Sequence, residues 1–308
     1  MGGRAVRLTV AAIDCGTNTI KLLIGALPEV VVHEARMVRL GQGVDRTGRL
    51  ADEALARTFA AIDEYAALIA QHPVDRIRFC ATSASRDASN ADVFVAGVRA
   101  RLGVEPEVIS GDEEAALAFS GAVRDLSATV PRPVLVLDVG GGSTELILGD
   151  DQPTSAHSMD IGSVRLHERH LHSDPPTAPE IAAAVADIDA ALDACPVPLA
   201  EAAAVVGIAG TACTVVAGVL DLPTYDRSRI DQAVVPVAAL QEYVERLVAM
   251  SVAERLTLPY LHPGRADVIG AGALIVARVL ARTRLSSMMA SESDILEGIA
   301  WSLMPGDD

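Results

Sequence analysis

The chain has 308 residues, half of them hydrophobic and 3% aromatic, with a formal net charge of −16. That length suits two domains, each burying its own core, and so apolar a chain is not intrinsically disordered. The negative charge excludes nucleic acid as an expected partner, because backbone binding needs a basic surface.

In chain order, strands are expected at Arg7–Asp14, Ile20–Leu27 and Val30–Val38. Helices Asp52–Ile69, Ala91–Arg101 and Glu113–Val123 then alternate with short apolar strands Arg76–Ala81 and Glu107–Ile109, which predicts a mostly parallel sheet. Ser127–Pro133 reads as a linker. The second half repeats the plan, with strands around Asp138, at Ser155–Met159 and at Ala203–Ala209, and helices Ser163–His170 and Pro179–Asp193. Further helices are expected at Val237–Met250, Asp267–Ala281 and Ser293–Leu303, the last packing back on the first half. Ala202–Leu220 carries no charge, but its glycines and threonines divide it into a strand, a turn and a helix, so it is not read as a membrane span. The apolar run Leu8–Ile13 is too short for a secretion signal. Cys15, Cys80, Cys195 and Cys213 form no C-x-x-C pair and have no His at zinc spacing, so reduced thiols and a cytoplasmic location are expected.

One motif occurs twice. Ile13–Gly25 aligns residue for residue with Leu137–Gly149 at an offset of 124. In each copy an apolar run ends at an acid, Asp14 or Asp138, and a turn of small and hydroxyl residues leads into a second apolar run. Such turns aim backbone N–H groups at an anion, and an Asp at the strand end is placed to hold a cation beside it. With a net charge that repels anions, the ligand must be held by local donors and divalent metal. In the second copy Gly140, Gly141, Gly142 and Ser143 let the backbone approach a phosphate, and Glu145 lies near enough to help Asp138 hold Mg²⁺. A tight glycine hairpin with solvated acids is the plain alternative for one loop, and the matched second copy weighs against it. In the first copy Gly16, Thr17, Asn18 and Thr19 add side-chain donors. Lys21, the only lysine in the sequence, stands where the second copy has Glu145, and is either a counter-charge for phosphate or an ordinary exposed lysine.

Three acids open the helix after Ser110. The helix dipole accounts for Asp112 and Glu113. Glu114, followed by small residues, can instead reach a cleft and orient a water in line with phosphorus, although the dipole reading serves it too. Ala81–Asp87 reads as a hydroxyl-rich loop whose Arg86 either clamps phosphate or pairs with Asp87. Gly210-Thr211 is a phosphate turn or a helix cap, while Gly162–Arg165 and Pro263–Asp267, with Arg265, are further Arg-bearing turns.

These segments together resemble the exopolyphosphatase / guanosine pentaphosphate phosphohydrolase (Ppx/GppA) family. The resemblance runs from Ile13 to about Leu303 through DCGTNTIKLLI, ATSASRDASN, ISGDEEA, LDVGGGSTELILG, DIGSVRLHERHL, GIAGTACT, HPGRADVIGAGA and SESDILEGIA. It implies an α/β fold of two actin-like (ribonuclease H-like) domains, 1–128 and 129–289, with an inter-domain cleft and residues 290–308 returning to the first. It implies Glu114 as catalytic base, and Asp138, Glu145 and Asp14 as metal-associated acids for Mg²⁺, with Mn²⁺ as a substitute. Substrate would be bound by the two loops with Lys21, Arg86, Gly210, Thr211 and Arg265. The implied substrate is inorganic polyphosphate, with guanosine pentaphosphate hydrolysis or non-catalytic alarmone binding as alternatives. No membrane is implied, and family analogy gives a homodimer. The first loop departs from the usual Asp-x-Gly-Ser-Asn-Ser but keeps its hydroxyls. The chain also stops short of the helical domains of long-form members, which puts processive handling of long polymers in question.

Overall fold

The structure, a computed structural model, describes residues 8–305. Arg7, the first residue of the expected opening strand, lies outside them. The chain divides into two compact units, residues 1–110 with 295–308, and residues 111–294.

The first unit is built on a five-stranded sheet in which β1 (Val10–Cys15) and β2 (Thr19–Ala26) form a buried antiparallel pair, extended on one side by β3 (Glu29–Met37). On the other side β4 (Arg76–Ala81) runs parallel to β1, and the short β5 (Glu107–Val108) parallel to β4. The order β3-β2-β1-β4-β5 is the ribonuclease H-like plan expected of each half. Helices Asp52–Ile69 and Ala91–Leu102 pack on each other. Ile295–Ser302 packs on β1, β2 and β4, as expected of the returning C-terminal helix. His33 Nε2 lies 3.2 Å from Glu297 Oε1, and Arg78 donates to Ser302 Oγ at 2.8 Å.

The second unit repeats the arrangement with β6 (Val134–Val139), β7 (Thr144–Gly149) and β8 (Pro153–Met159) antiparallel, and β9 (Ala204–Ile208) parallel to β6. The sheet continues through two strands not expected from sequence, β10 (Val234–Pro236) and β11 (Ser287–Ala290), in the order β10-β11-β9-β6-β7-β8. The repeat reaches single residues. A Cβ at Gly25 would collide with the Glu29 carbonyl oxygen, and one at Gly149 with that of Gln152. Each glycine sits at the register shift between the second and third strands of its unit, 124 residues apart.

The helix expected at Glu113–Val123, at the close of a first domain ending at residue 128, runs from Gly111 to Arg124. It belongs instead with the second unit, packing on β6, β7 and β8. The reason is its small apolar face: Ala115, Ala118, Phe119 and Ala122 are all buried, and the Phe119 ring reaches the Gly149 backbone. Ala81–Asp87, read as a loop, contains a short helix at Ser83–Asp87. Ala202–Leu220 resolves into β9 and helix Ala209–Val219, and among the described residues no helix is long and apolar enough to cross a membrane.

Candidate active site

Asp138 ends β6, and the register places Glu145 of β7 directly opposite it and Ser158 of β8 opposite Glu145. Cross-strand neighbours project on one face, so the two carboxyl groups share it. Ser158 Oγ donates to Glu145 Oε1 at 2.7 Å. Helix Gly111–Arg124 approaches over the same spot, and a Cβ at Gly111 would lie 2.7 Å from Ser158 Cβ. A glycine at the start of the helix therefore lets its first turn come close to the sheet, which brings Glu114 to the acids. Glu114, Asp138 and Glu145 are 8%, 7% and 1% exposed. Burial pushes the Glu145 carboxyl well above the usual carboxylate range, and the charges of Glu114 and Asp138 push it further; hydrogen bonds from Ser158 and Ser143 oppose both.

The equivalent place in the first unit is neutral. Asp14 faces Lys21 across β1 and β2, and the Lys21 Nζ lies 3.4 Å from Asp14 Oδ2. One unit thus supplies its own cation, while the other sets a second acid in that position. Lys21 is no ordinary exposed lysine, since its side chain is 14% exposed.

Both turns close alike, Gly16 N–H donating to the Thr19 carbonyl and Gly140 N–H to that of Ser143, each at 3.0 Å. Thr17, Asn18 and Thr19 are buried. The Asn18 side chain has neither its donor nor its acceptor matched within the protein, a costly state for a buried amide that a ligand oxygen and a hydrated cation or hydroxyl would relieve. Ser85 Oγ is a second buried orphan in this unit. Arg86 reaches the residue just after β5, its Nη1 donating to the Ile109 carbonyl at 3.0 Å.

In the second unit Thr211 donates its hydroxyl to the Val139 carbonyl at 2.9 Å, tying the Gly210 turn to the end of β6. Gly210 lies against the Arg265 guanidinium, which occupies the place a Cβ would take. Ala209, just before it, holds a left-handed φ of 58°. Burial lowers the Arg265 guanidinium from its ordinary value, and Tyr225, Cys213, Asp294 and Glu292 oppose that shift. Sequence reasoning passed over Ser158 and Arg255. The first was legible only from strand register. The second is a buried arginine whose guanidinium donates to the carbonyls of Leu247, Val248, Ala266 and Asp267, holding the turn that carries Arg265.

Among the described residues no three His, Cys, Asp or Glu side chains are grouped so as to hold a metal ion unaided. Mg²⁺ commonly takes one or two carboxylates and fills its octahedron with water and substrate phosphate, so the Asp138–Glu145 pair fits it.

The raised Glu145 carboxyl sets a pH dependence. A carboxyl that holds its proton more tightly folded than unfolded contributes stability that is complete below its unfolded value, and loses it as pH rises through the folded value. In EDTA, wild-type protein is expected to lose thermal stability relative to Glu145→Gln as pH rises above the ordinary carboxylate range, and Mg²⁺ is expected to close the gap. Unfolding midpoints that stay parallel for the two proteins over that rise would refute it.

The profile of the Ppx/GppA phosphatase family matches residues 20–306. Exopolyphosphatase 2 of Mycobacterium tuberculosis is 46% identical over 314 aligned positions, covering 96% of this chain and 98% of that protein. The guanosine-5'-triphosphate,3'-diphosphate pyrophosphatase of Photobacterium profundum is 29% identical, covering 96% of this chain and 59% of that protein. The crystal structure of an exopolyphosphatase-like protein superposes with a TM-score of 0.93 at 44% identity, covering 96% of this chain and 98% of that one.

Proposed function

The chain belongs to the Ppx/GppA phosphatase family, and from that premise we propose that it is an exopolyphosphatase, releasing terminal orthophosphate from inorganic polyphosphate by Mg²⁺-dependent hydrolysis. The observation that carries this reading is the contrast between the two copies of the loop. The first pairs Asp14 with Lys21, whereas the second gathers Asp138, Glu145 and Glu114 in one buried place, an acid set of the kind that takes a hydrated cation. A phosphate–metal complex brings that cation with the substrate.

Asp138 and Glu145 would hold Mg²⁺, which when bound offsets charge on the transferring phosphoryl group. Glu114 orients water and accepts its proton as the water oxygen bonds to the terminal phosphorus. The bridging P–O bond breaks, leaving orthophosphate and a polymer one unit shorter. Backbone N–H groups of the two turns, with Asn18 and Thr17 in the first unit, bind phosphate oxygens. Lys21, Arg86 and Arg265 add positive charge, and Gly210 and Thr211 shape the loop's surroundings. Asp14, already paired, is the weakest of the metal acids. Family analogy adds a cytoplasmic homodimer.

Hydrolysis of guanosine pentaphosphate is the second reading, favoured by the Photobacterium profundum relative. Phosphate release from polyphosphate, guanosine pentaphosphate and ATP, measured side by side with Mg²⁺, separates the readings. Turnover highest on polyphosphate is expected. Preference for guanosine pentaphosphate would replace the substrate, and absence of turnover on all three would replace the enzyme with a binding protein.

A further inference from the structure

The sequence presents Gly162–Arg165 as an Arg-bearing turn able to reach phosphate. The hydrogen bonds give it a different task. The Gly140 carbonyl accepts from the Ser163 N–H at 2.9 Å and from Ser163 Oγ at 3.2 Å. The Gly141 carbonyl accepts from the Val164 and Arg165 N–H groups at 2.9 and 3.1 Å. The Gly142 carbonyl accepts from Arg165 Nε at 2.7 Å. Three successive carbonyls of the glycine loop are thereby pulled to the start of helix Ser163–His170. In a planar trans peptide the C=O of one residue and the N–H of the next point in opposite directions. Fixing these carbonyls therefore turns the N–H groups of Gly141, Gly142 and Ser143 the other way. Among the described residues none accepts from those three N–H groups. Gly162 has to be glycine for the approach, since a Cβ would lie 2.5 Å from the Gly141 carbonyl carbon.

The first unit carries the counterpart. After its third strand, the Val38 and Arg39 N–H groups donate to the Asn18 carbonyl and the Gly41 N–H to that of Thr17. Val38 and Gly162 stand 124 residues apart, the same offset as the loops they hold. The duplication thus includes a clamp as well as the loop, and the second clamp ends in a side chain, Arg165.

We propose that Arg165 is a positioning residue that acts through the Gly142 carbonyl to aim the Ser143 N–H at phosphate, beside the N–H groups of Gly141 and Gly142. The proposal rests on the reading of this loop as a phosphate binder. Gly142 is the member of the loop with no backbone donor on its carbonyl, so the Arg165 guanidinium alone sets that last peptide.

The test is titration of the full chain, labelled with ¹⁵N-glycine and ¹⁵N-serine, with inorganic phosphate, alongside kcat/KM on polyphosphate. Wild type is expected to show shifts of the Gly141, Gly142 and Ser143 amides. Arg165→Met should weaken phosphate binding and lower kcat/KM by roughly ten- to a hundredfold, with the Ser143 shift most reduced and the thermal midpoint held. Arg165→Gln supplies a neutral donor for the Gly142 carbonyl and should recover a large part of both; a direct charge contact with phosphate predicts Gln as poor as Met. Wild-type binding in Arg165→Met, or no recovery in Arg165→Gln, overturns the proposal while leaving the loop's function standing. Should Arg165→Met not fold, Arg165→Lys and Arg165→Gln are compared, and binding by Lys but not by Gln overturns it. Unshifted amides in wild type itself overturn the phosphate-loop reading and the proposal with it.

Discussion

Glu114→Gln is expected to lower turnover on polyphosphate by roughly 10²–10⁴-fold, the range for losing a general base, while polyphosphate still binds. The amide keeps the volume and one acceptor oxygen of a side chain that is 8% exposed, so the fold has no cavity to absorb. It removes the group that takes the proton of the attacking water. It also removes a negative charge that bears on Glu145, which should let Glu145 ionise more readily and leave the remaining acids no worse at holding Mg²⁺. A loss that persists at saturating Mg²⁺ therefore assigns Glu114 to the water. A loss that vanishes as Mg²⁺ is raised would make it a metal acid instead, and wild-type turnover in a folded variant would remove it from the chemistry.

The sequence made the outline of both units legible because its strongest signals are local. Buried strands, glycine turns and the 124-residue offset need no tertiary information, and Asp52–Ile69 and Ser163–His170 appear with the bounds their periodicity gives. What failed was partnership. Helix Gly111–Arg124 could be placed after the first sheet or before the second on chain order alone, and its small apolar face decided for the second only when packed on β7 and β8. The strands β10 and β11 are three and four residues long, contain Pro236 and Ser287, and pair with each other across about fifty residues of sequence, so no period-two pattern could announce them. The residues of the candidate site divide the same way. Asp138 and Glu145 were legible from the duplication. Ser158 depends on register, Arg255 on a turn folded beneath it, and Arg165 on carbonyls in another loop, and none of these has a spacing in the chain that points to it.

Asp138→Asn is expected to raise the Mg²⁺ concentration for half-maximal activity by roughly 10–100-fold, with Asp14→Asn shifting it far less. The two acids end equivalent strands before equivalent turns, and sequence alone treats them as a pair. Their surroundings differ. Lys21 lies 3.4 Å from Asp14, so that carboxylate already has a positive partner. Asp138 faces Glu145 across the ladder, with Glu114 close enough to act on the same carboxyl, so a second acid stands where the first unit has Lys21. Removing one of the anionic oxygens of Asp138 weakens the attraction for Mg²⁺ directly. Mg²⁺ titrations of activity for wild type and both variants test this. Equal shifts in the two variants would mean that both loops share the metal despite the Lys21 pairing. No shift in Asp138→Asn would leave the buried acids without the cation they are proposed to hold.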